Sequence, residues 1–535
     1  MTKKSIYFGT LLLTALAFSS CASDDTATDK TAGKDTPKTG TVFSSEDEPS
    51  TRTSATYTGS GLDFYWTAND KIWVKDDNNT YHQSSEDDIA SRIAAVPGST
   101  TTAKAKFWVN GTYTGSTHKV RYTGKNGASD KVTIKASQTQ NTPNDAAHIA
   151  DDGDFGIADA TGSGKYTFTL NHKAAYVTFM PYNANGVIPG AKIQKIRIYT
   201  NNTSDQLAGT FDLTDNGTLS NGTTTSNSVE LNVNDFTLPS AYSYTTNGAT
   251  MVLNPGTYSN VTIEYTLHDA GTNVTGTVKK TYPSVTFDAG KNTPVKSDLK
   301  IKVYHGNEYY MWDAVDPYWK GYEWNNPNTA LRFQPIVNGQ SDPTHAPQSL
   351  GAVSGGTSRD FNDGLIATNS AKDCPNLNEL CWYAEKGEPY WDNTTLWATM
   401  DHLYVGGMWF LKQSAIASKN GKNVSDLKLA APNGTDYTTT SYPRAGYTNN
   451  SVPTGIPSNL NDYFYLPTLG IYNNTPTKEF WGPGIIGDFW PSTNSGNQEA
   501  CILFIRANKV RIFYTSKSGG FTRFSPSNED EYRPF

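Results

Sequence analysis

The sequence predicts a mainly β protein: two strand-rich domains in tandem, followed by an α+β C-terminal domain. Three observations carry this. Thr, Ser, Asn and Gly fill long stretches in which helix formers are scarce, and aromatic residues reach 12% of the chain, with 31 Tyr, a composition that favours strands and turns. Apolar residues alternate with polar ones over strand-length segments. Tryptophan is distributed unevenly, with three before residue 304 and nine after it, so the last part of the chain has a logic of its own. At 535 residues and about 150 residues per domain, three or four domains are expected rather than one enlarged core.

The first 20 residues read as an export signal. Lys3 and Lys4 precede an apolar run from Ile6 to Phe18, then Ser19-Ser20-Cys21. The run is shorter than the roughly 20 residues of a spanning helix, and small residues ahead of a cysteine are what a lipoprotein signal peptidase reads. Cys21 is thus the expected lipidation site, carrying palmitate and related acyl groups; a secretory signal with a chance cysteine is the alternative. Ala22-Ser23-Asp24-Asp25 resembles the acidic tag of lipoproteins displayed on the outer face of the outer membrane. Residues 21–40 have nothing to bury and read as a disordered tether.

From residue 41 to 164, Phe64-Tyr65-Trp66, Ile72-Trp73-Val74 and Phe107-Trp108-Val109 are strand-length patches between Asn/Asp/Gly turns, a first β domain closed at Thr161-Gly162-Ser163-Gly164. From 165 to 303 the period is clearer: Val261, Ile263, Tyr265 and Leu267 alternate with Thr262, Glu264 and Thr266, and Ile196/Ile198 and Val285/Phe287 continue it, as in a second sandwich. In 304–535, Leu396, Met400, Leu403, Gly407 and Leu411 recur at three and four with Asp392 or Asn393 as cap, which predicts a helix. Another start is read at Asp373-Cys374-Pro375. Ala500–Ile505 and Lys509–Tyr514, joined through Arg506-Ala507-Asn508, predict a hairpin. After Cys21, three cysteines remain, Cys374, Cys381 and Cys501; buried free thiols fit better than a bridge, though one disulfide is open to them.

Charge excludes one class of partner. With 44 Lys and Arg against 51 Asp and Glu, the net charge is −7, so there is no broad basic surface for nucleic acid. Neither a phosphate loop nor an EF-hand is complete at Gly162–Lys165 or Asp151–Asp154, and the eight His and four Cys make no zinc motif. No metal and no cofactor beyond the lipid on Cys21 is expected, and an enzyme is disfavoured. Asp313, Asp316 and Glu323 among tryptophans are the one constellation with glycosidase chemistry. Trp312, Tyr318, Trp319, Tyr322 and Trp324, with short polar residues between them, are the ligand-binding candidates, since flat rings beside polar groups suit a carbohydrate face; the alternative is that most of these rings are core.

Taken together, Cys21 with its acidic tether, Thr51-Arg52-Thr53, Trp66-x-x-Asn69-Asp70-x-Ile72-x-Val74, and Phe168-x-Leu170-x-His172-Lys173-Ala174-Ala175-x-Val177 resemble the fimbrillin (type V pilin) family over residues 21–303. The resemblance implies two transthyretin-like β-sandwiches in tandem, over 41–164 and 165–303, an outer-membrane or fimbrial location, and assembly with other fimbrial subunits by strand exchange, in which an arginine-specific protease removes the first strand. Arg52 fits the cleavage position, but the strand before it, Thr41-Val42-Phe43-Ser44-Ser45-Glu46-Asp47-Glu48-Pro49, has two large apolar residues and a Pro, a departure from a good groove filler. Residues 304–535 are similar to the C-terminal extension of tip or adhesin-type members. Their end, from Phe489-Trp490-Pro491 through Cys501 to Gly519-Gly520 and Arg533-Pro534-Phe535, is similar to a Trp-rich, C-type-lectin-like repeat. The resemblance implies a tip or adhesin subunit contacting a host or bacterial surface glycan or protein; a monomeric glycan-binding surface lipoprotein is the alternative.

Overall fold

The computed structural model describes residues 38–45, 54–337, 343–347, 357–473, 478–494, 496 and 498–532. Cys21 and Arg52 lie outside the described residues. The protein is mainly β, as the composition and alternation predict.

The first sheet is built by Lys165–Phe168, Thr41–Ser45, Ala105–Val109, Tyr81–Asp87, Trp73–Lys75, Thr117–Tyr122, Gly156–Ser163 and the short Asn171–His172, in that order. Because Gly156–Ser163 also pairs with Lys165–Phe168, hydrogen bonding runs right round and no side of this ring is open. Ring closure removes edges that would otherwise expose unpaired N–H and C=O groups. Its interior holds Phe43, Trp66, Phe107, Tyr122 and Tyr166. The strand Lys165–Phe168, which the sequence assigns to the second sandwich, is a member of this ring.

The second module is a two-layer sandwich. Five strands in the order Ser137–Gln140, Ser228–Thr237, Ala191–Tyr199, Gly256–Asp269 and Val274–Phe287 make one sheet, and Ala249–Leu253, Ala175–Tyr182 and Asn292–Asp298 another. Alternation does what it predicts: Val261, Ile263, Tyr265 and Leu267 are all buried. Two strands from before residue 164 join this module, Ser137–Gln140 pairing with Ser228–Thr237 and Lys131–Ile134 with Ala208–Leu213. The modules therefore interlock, and a single cut in the sequence does not separate their sheets.

The C-terminal module packs short sheets around the helix Leu377–Lys386. That helix starts at Asn376, whose side chain accepts from Glu379 N while Glu379 bonds back to Asn376 N, a capping box two or three residues past the expected cap. The helix expected from Leu396 to Leu411 is not formed. Those residues make strands Trp397–Thr399, His402–Tyr404 and Gly407–Leu411. The reason is local: Met400 and Asp401 both have positive φ, 48° and 68°, the backbone of a two-residue hairpin turn, and pairing Thr399 with His402 follows. The predicted C-terminal hairpin is present, with Arg506 opposite Lys509 and Asn508 at φ 55°.

Candidate functional site

The strand Thr41–Ser45 is the structural feature closest to a working part. It pairs antiparallel with Ala105–Val109 along its whole length and parallel with Lys165–Phe168 from Val42 to Ser45. Phe43 is fully buried, stacked on Tyr166 at 5.0 Å between ring centroids and edge-on to Tyr113 at 5.1 Å. Two residues on, Ser45 faces the same interior, and its hydroxyl accepts a hydrogen bond from Trp66 Nε1 at 3.0 Å. The remaining residues are half-buried, so the seat is specific at two positions and shallow elsewhere.

The sequence motifs acquire physical roles here. Trp66-x-x-Asn69-Asp70 is a tight turn: Asn69 has φ 72°, and the buried Asp70 carboxylate accepts from Thr67 N at 2.6 Å and from Tyr122 OH at 2.9 Å. This fixes Trp66 under the first strand. The segment Phe168–Val177 crosses from one module to the next, with Phe168 and Leu170 in the first core and Ala174, Ala175 and Val177 in the second. His172 marks the crossing: its Nδ1 lies 2.8 Å from Asp154 Oδ1, Tyr176 OH donates to the same oxygen, and Phe64 stacks on the imidazole at 3.9 Å.

Two further joints hold the modules. Asp215, from the second module, accepts from Lys75 at 3.0 Å, Tyr81 at 2.6 Å and Arg121 of the first. The Tyr81 hydroxyl above all, with the two cations, holds its carboxyl at about 2. Between the second and third modules, the fully buried Asp269 accepts from Leu403 N and Gly271 N, both at 2.8 Å, and lies 3.1 Å from His402 Nδ1.

The ligand-binding candidates separate on burial. Trp312, Tyr318 and Trp319 are at most 2% exposed and belong to the C-terminal core, which corrects their assignment to a binding face. Trp312 Nε1 donates to Pro491 O at 2.9 Å with the Lys517 ammonium 4.4 Å above its ring, and Tyr318 stacks on Tyr472. Tyr322 and Trp324 are half-buried, the first beside Phe333, His345 and Arg359, the second donating to His305 O. Rings are recruited to the core because no other residue type fills so much of it, and composition does not distinguish the two uses. Trp481, 54% exposed, is the exposed tryptophan among the described residues, and no sequence signal set it apart from the other eight after residue 304.

The carboxylate constellation is spent on loop structure. Asp313 is buried and accepts from Asn362 Nδ2 and from the amides of Thr368, Asn369 and Ala371 at 2.8–2.9 Å, Asp316 accepts from Ser358, and Glu323 from Gly321 N. Cys374, Cys381 and Cys501 are buried free thiols; burial pushes Cys374 up to about 12, which leaves it unreactive. Among the described residues no group of three or more His, Cys, Asp or Glu could hold a metal ion, and no helix is long and apolar enough to cross a membrane.

No protein-family model matches the chain, and no curated protein matches it. Among solved structures, similarity is found to a candidate cell-adhesion protein from Bacteroides ovatus (16% identity, 44% of this chain and 84% of that one, TM-score 0.28). A candidate cell-adhesion protein from Bacteroides fragilis is also similar (13%, 50% and 95%, TM-score 0.28), as is a fimbrial protein from Bacteroides ovatus (11%, 85% and 93%, TM-score 0.19). Scores this low carry no assignment.

Proposed function

We propose that the chain is an exported cell-surface subunit of adhesion or fimbrial type, anchored through Cys21 until cleavage after Arg52 releases everything before Thr53. The strand Thr41–Ser45 is the exchangeable piece, and a strand from a neighbouring subunit takes its seat. The observation that carries this reading is that a five-residue strand, joined to the rest of the chain through the segment containing Arg52, closes a ring of which every other strand lies C-terminal to that arginine. Removing it opens two sheet edges and a pocket shaped for an aromatic side chain. Such a gap is a strong template for strand addition.

A transthyretin-like tandem layout and an outer-membrane location belong to the same reading. So does a place at a filament tip. Phe521, Phe524 and Glu529 are buried in the C-terminal module, which supports a subunit that accepts a strand while using its own late residues internally. The seat also defines the donor: an aromatic residue where Phe43 sits, and two residues later a small hydrogen-bond acceptor to meet Trp66 Nε1.

The test is complementation. Protein beginning at Thr53 is expected to have exchange-labile amides over 105–109 and 165–168, and a synthetic peptide spanning 38–46 should restore their protection. The same peptide with Phe43→Ala should not. Mass spectrometry of mature protein from its cell surface decides whether this happens in assembly: a start at Thr53 supports exchange, whereas an intact acylated Cys21 overturns it in favour of a static, glycan-binding surface lipoprotein.

A further inference from the structure

The five-stranded sheet of the second module ends on Val274–Phe287, a strand of 14 residues paired on one side with Gly256–Asp269. Among the described residues, no backbone group outside that pairing bonds the strand, so its outer edge presents every second N–H and C=O to solvent. Beneath this edge lies a cavity of about 570 Å3, bounded by the edge strand, the connection Leu299–Ile301 into the third module, and the loop Thr394–Leu396. Its floor is aliphatic: Val278, Leu299, Ile301, Leu396 and the 44% exposed Ile456.

Besides Lys279, two further cations, Lys280 and Lys300, line the cavity. Lys279 is matched by Glu264 at 3.0 Å, but neither Lys280 nor Lys300 has a carboxylate within ion-pair distance among the described residues. Burial, and then the charge of Lys300, lower the Lys280 ammonium from its ordinary value, with Asp298 acting weakly the other way. One Asp298 oxygen already accepts from the amides of Ala184 and Lys300. A carboxylate placed between the two lysines would relieve their repulsion.

We propose that this edge and the cavity beneath it are a docking site for an extended acidic–apolar peptide segment of another protein, which adds as a sixth strand beside Val274–Phe287. Its backbone meets the free N–H and C=O groups, an apolar side chain enters the aliphatic cavity, and an acidic side chain two residues away lies between Lys280 and Lys300. Lysines and a proline on an edge also serve to repel unwanted strands, and Lys279 and Pro283 suit that role. Lys300 does not, because it lies off the strand, lines the cavity and acts on Lys280 through its charge. A saccharide is the weaker occupant, since the floor has no aromatic ring and a sugar leaves the strand edge unpaired. The site does not involve the seat of Phe43, so the assignment stands independently of strand exchange there.

The probe is a capped nine-residue peptide with threonine on one face and leucine, glutamate and valine on the other. The expected result is saturable binding by fluorescence anisotropy, slowed hydrogen exchange over residues 276–286 and unchanged exchange over Thr41–Ser45. The double variant Lys280→Ala/Lys300→Ala should weaken binding at least tenfold, and Lys280→Arg/Lys300→Arg should retain it. Absence of binding at millimolar peptide overturns the proposal. So does equal binding by a peptide N-methylated at alternate amides, because strand addition requires those amides. Protection of 276–286 by an oligogalacturonate and not by the peptide would reassign the site to an anionic sugar.

Discussion

In the first module the strand Thr41–Ser45 is bonded on both sides and anchored by one fully buried ring, whereas in the second the much longer Val274–Phe287 is bonded on one side and only half covered. Length is therefore a poor guide to how much a strand matters. The short strand is the last piece of a closed ring, and its energy is concentrated in Phe43; the long one spreads small contributions over many half-exposed residues. Phe43→Ala is accordingly expected to cost about 3–5 kcal/mol, the range for a buried aromatic truncated in a packed core. Val278→Ala on the free edge should cost well under about 1.5 kcal/mol. Urea unfolding followed by hydrogen exchange over each module reads both. Equal costs would break the comparison and remove the reason for treating the first strand as a discrete, replaceable unit.

The two inter-module joints repeat the contrast in electrostatic form. Asp269 is wholly buried and satisfies two amides and a histidine, while Asp215 is about 41% exposed beside a buried Arg121 and a part-exposed Lys75. Truncating Asp269 strands buried donors, so Asp269→Ala should destabilise the joint to the third module by about 2–4 kcal/mol. Asp215→Ala, screened by solvent, should cost no more than about 1 kcal/mol. Proteolysis between the modules and calorimetry distinguish them; a larger effect at Asp215 would show that the exposed cluster, not the buried anchor, carries the load.

How much of this was written locally in the sequence depends on the range of the interaction. Period-two patterns named the strands of the second sandwich because each residue's side is fixed by its neighbour's. The Asn376–Glu379 capping box was present in the sequence too, two or three residues past the cap read at Asp373 or Cys374. The false helix over 396–411 arose because its apolar spacing fits a helix and its turn is made by Met400 and Asp401, neither of which announces positive φ as a glycine would. The interlocking of Lys131–Ile134 and Ser137–Gln140 with the second module depends on pairing across about 80 to 95 residues, which no local pattern records. The seat of Phe43 was hidden for the same reason: Tyr113, Tyr166 and Trp66 come from three separate places in the chain. For the aromatic cluster after residue 304 the residue types were legible, but their burial was decided by packing partners such as Tyr472 and Phe521 some 150 to 200 residues away.

The third module and the first joint also differ in the sign of their response to pH. Burial raises Asp488 from 3.8 to about 7 and Glu529 from 4.5 to about 7. In the native state these two carboxyls hold protons that the unfolded chain has already released between about pH 4 and 7, so their contribution is complete below about pH 4 and is lost as pH rises through 7. Asp215 at about 2 behaves oppositely, contributing above about pH 4 and losing its contribution as pH falls toward 2. Between about pH 8 and 5 the third module should therefore gain stability while the Asp215 joint stays constant. Asp488 gives the sharper test, because its Oδ1 has no hydrogen-bond partner among the described residues and desolvation alone accounts for its shift. Asp488→Asn keeps the shape and removes the charge, so it should raise the melting temperature at about pH 8 and flatten part of the slope down to about pH 5, leaving the remainder to Glu529. Hydrogen exchange of the strand Ile486–Phe489, followed across that range in both proteins, measures the slope directly. A wild-type profile already flat there would mean that both carboxylates are ionised in the folded chain, with the module's polar interior more hydrated than its packing indicates.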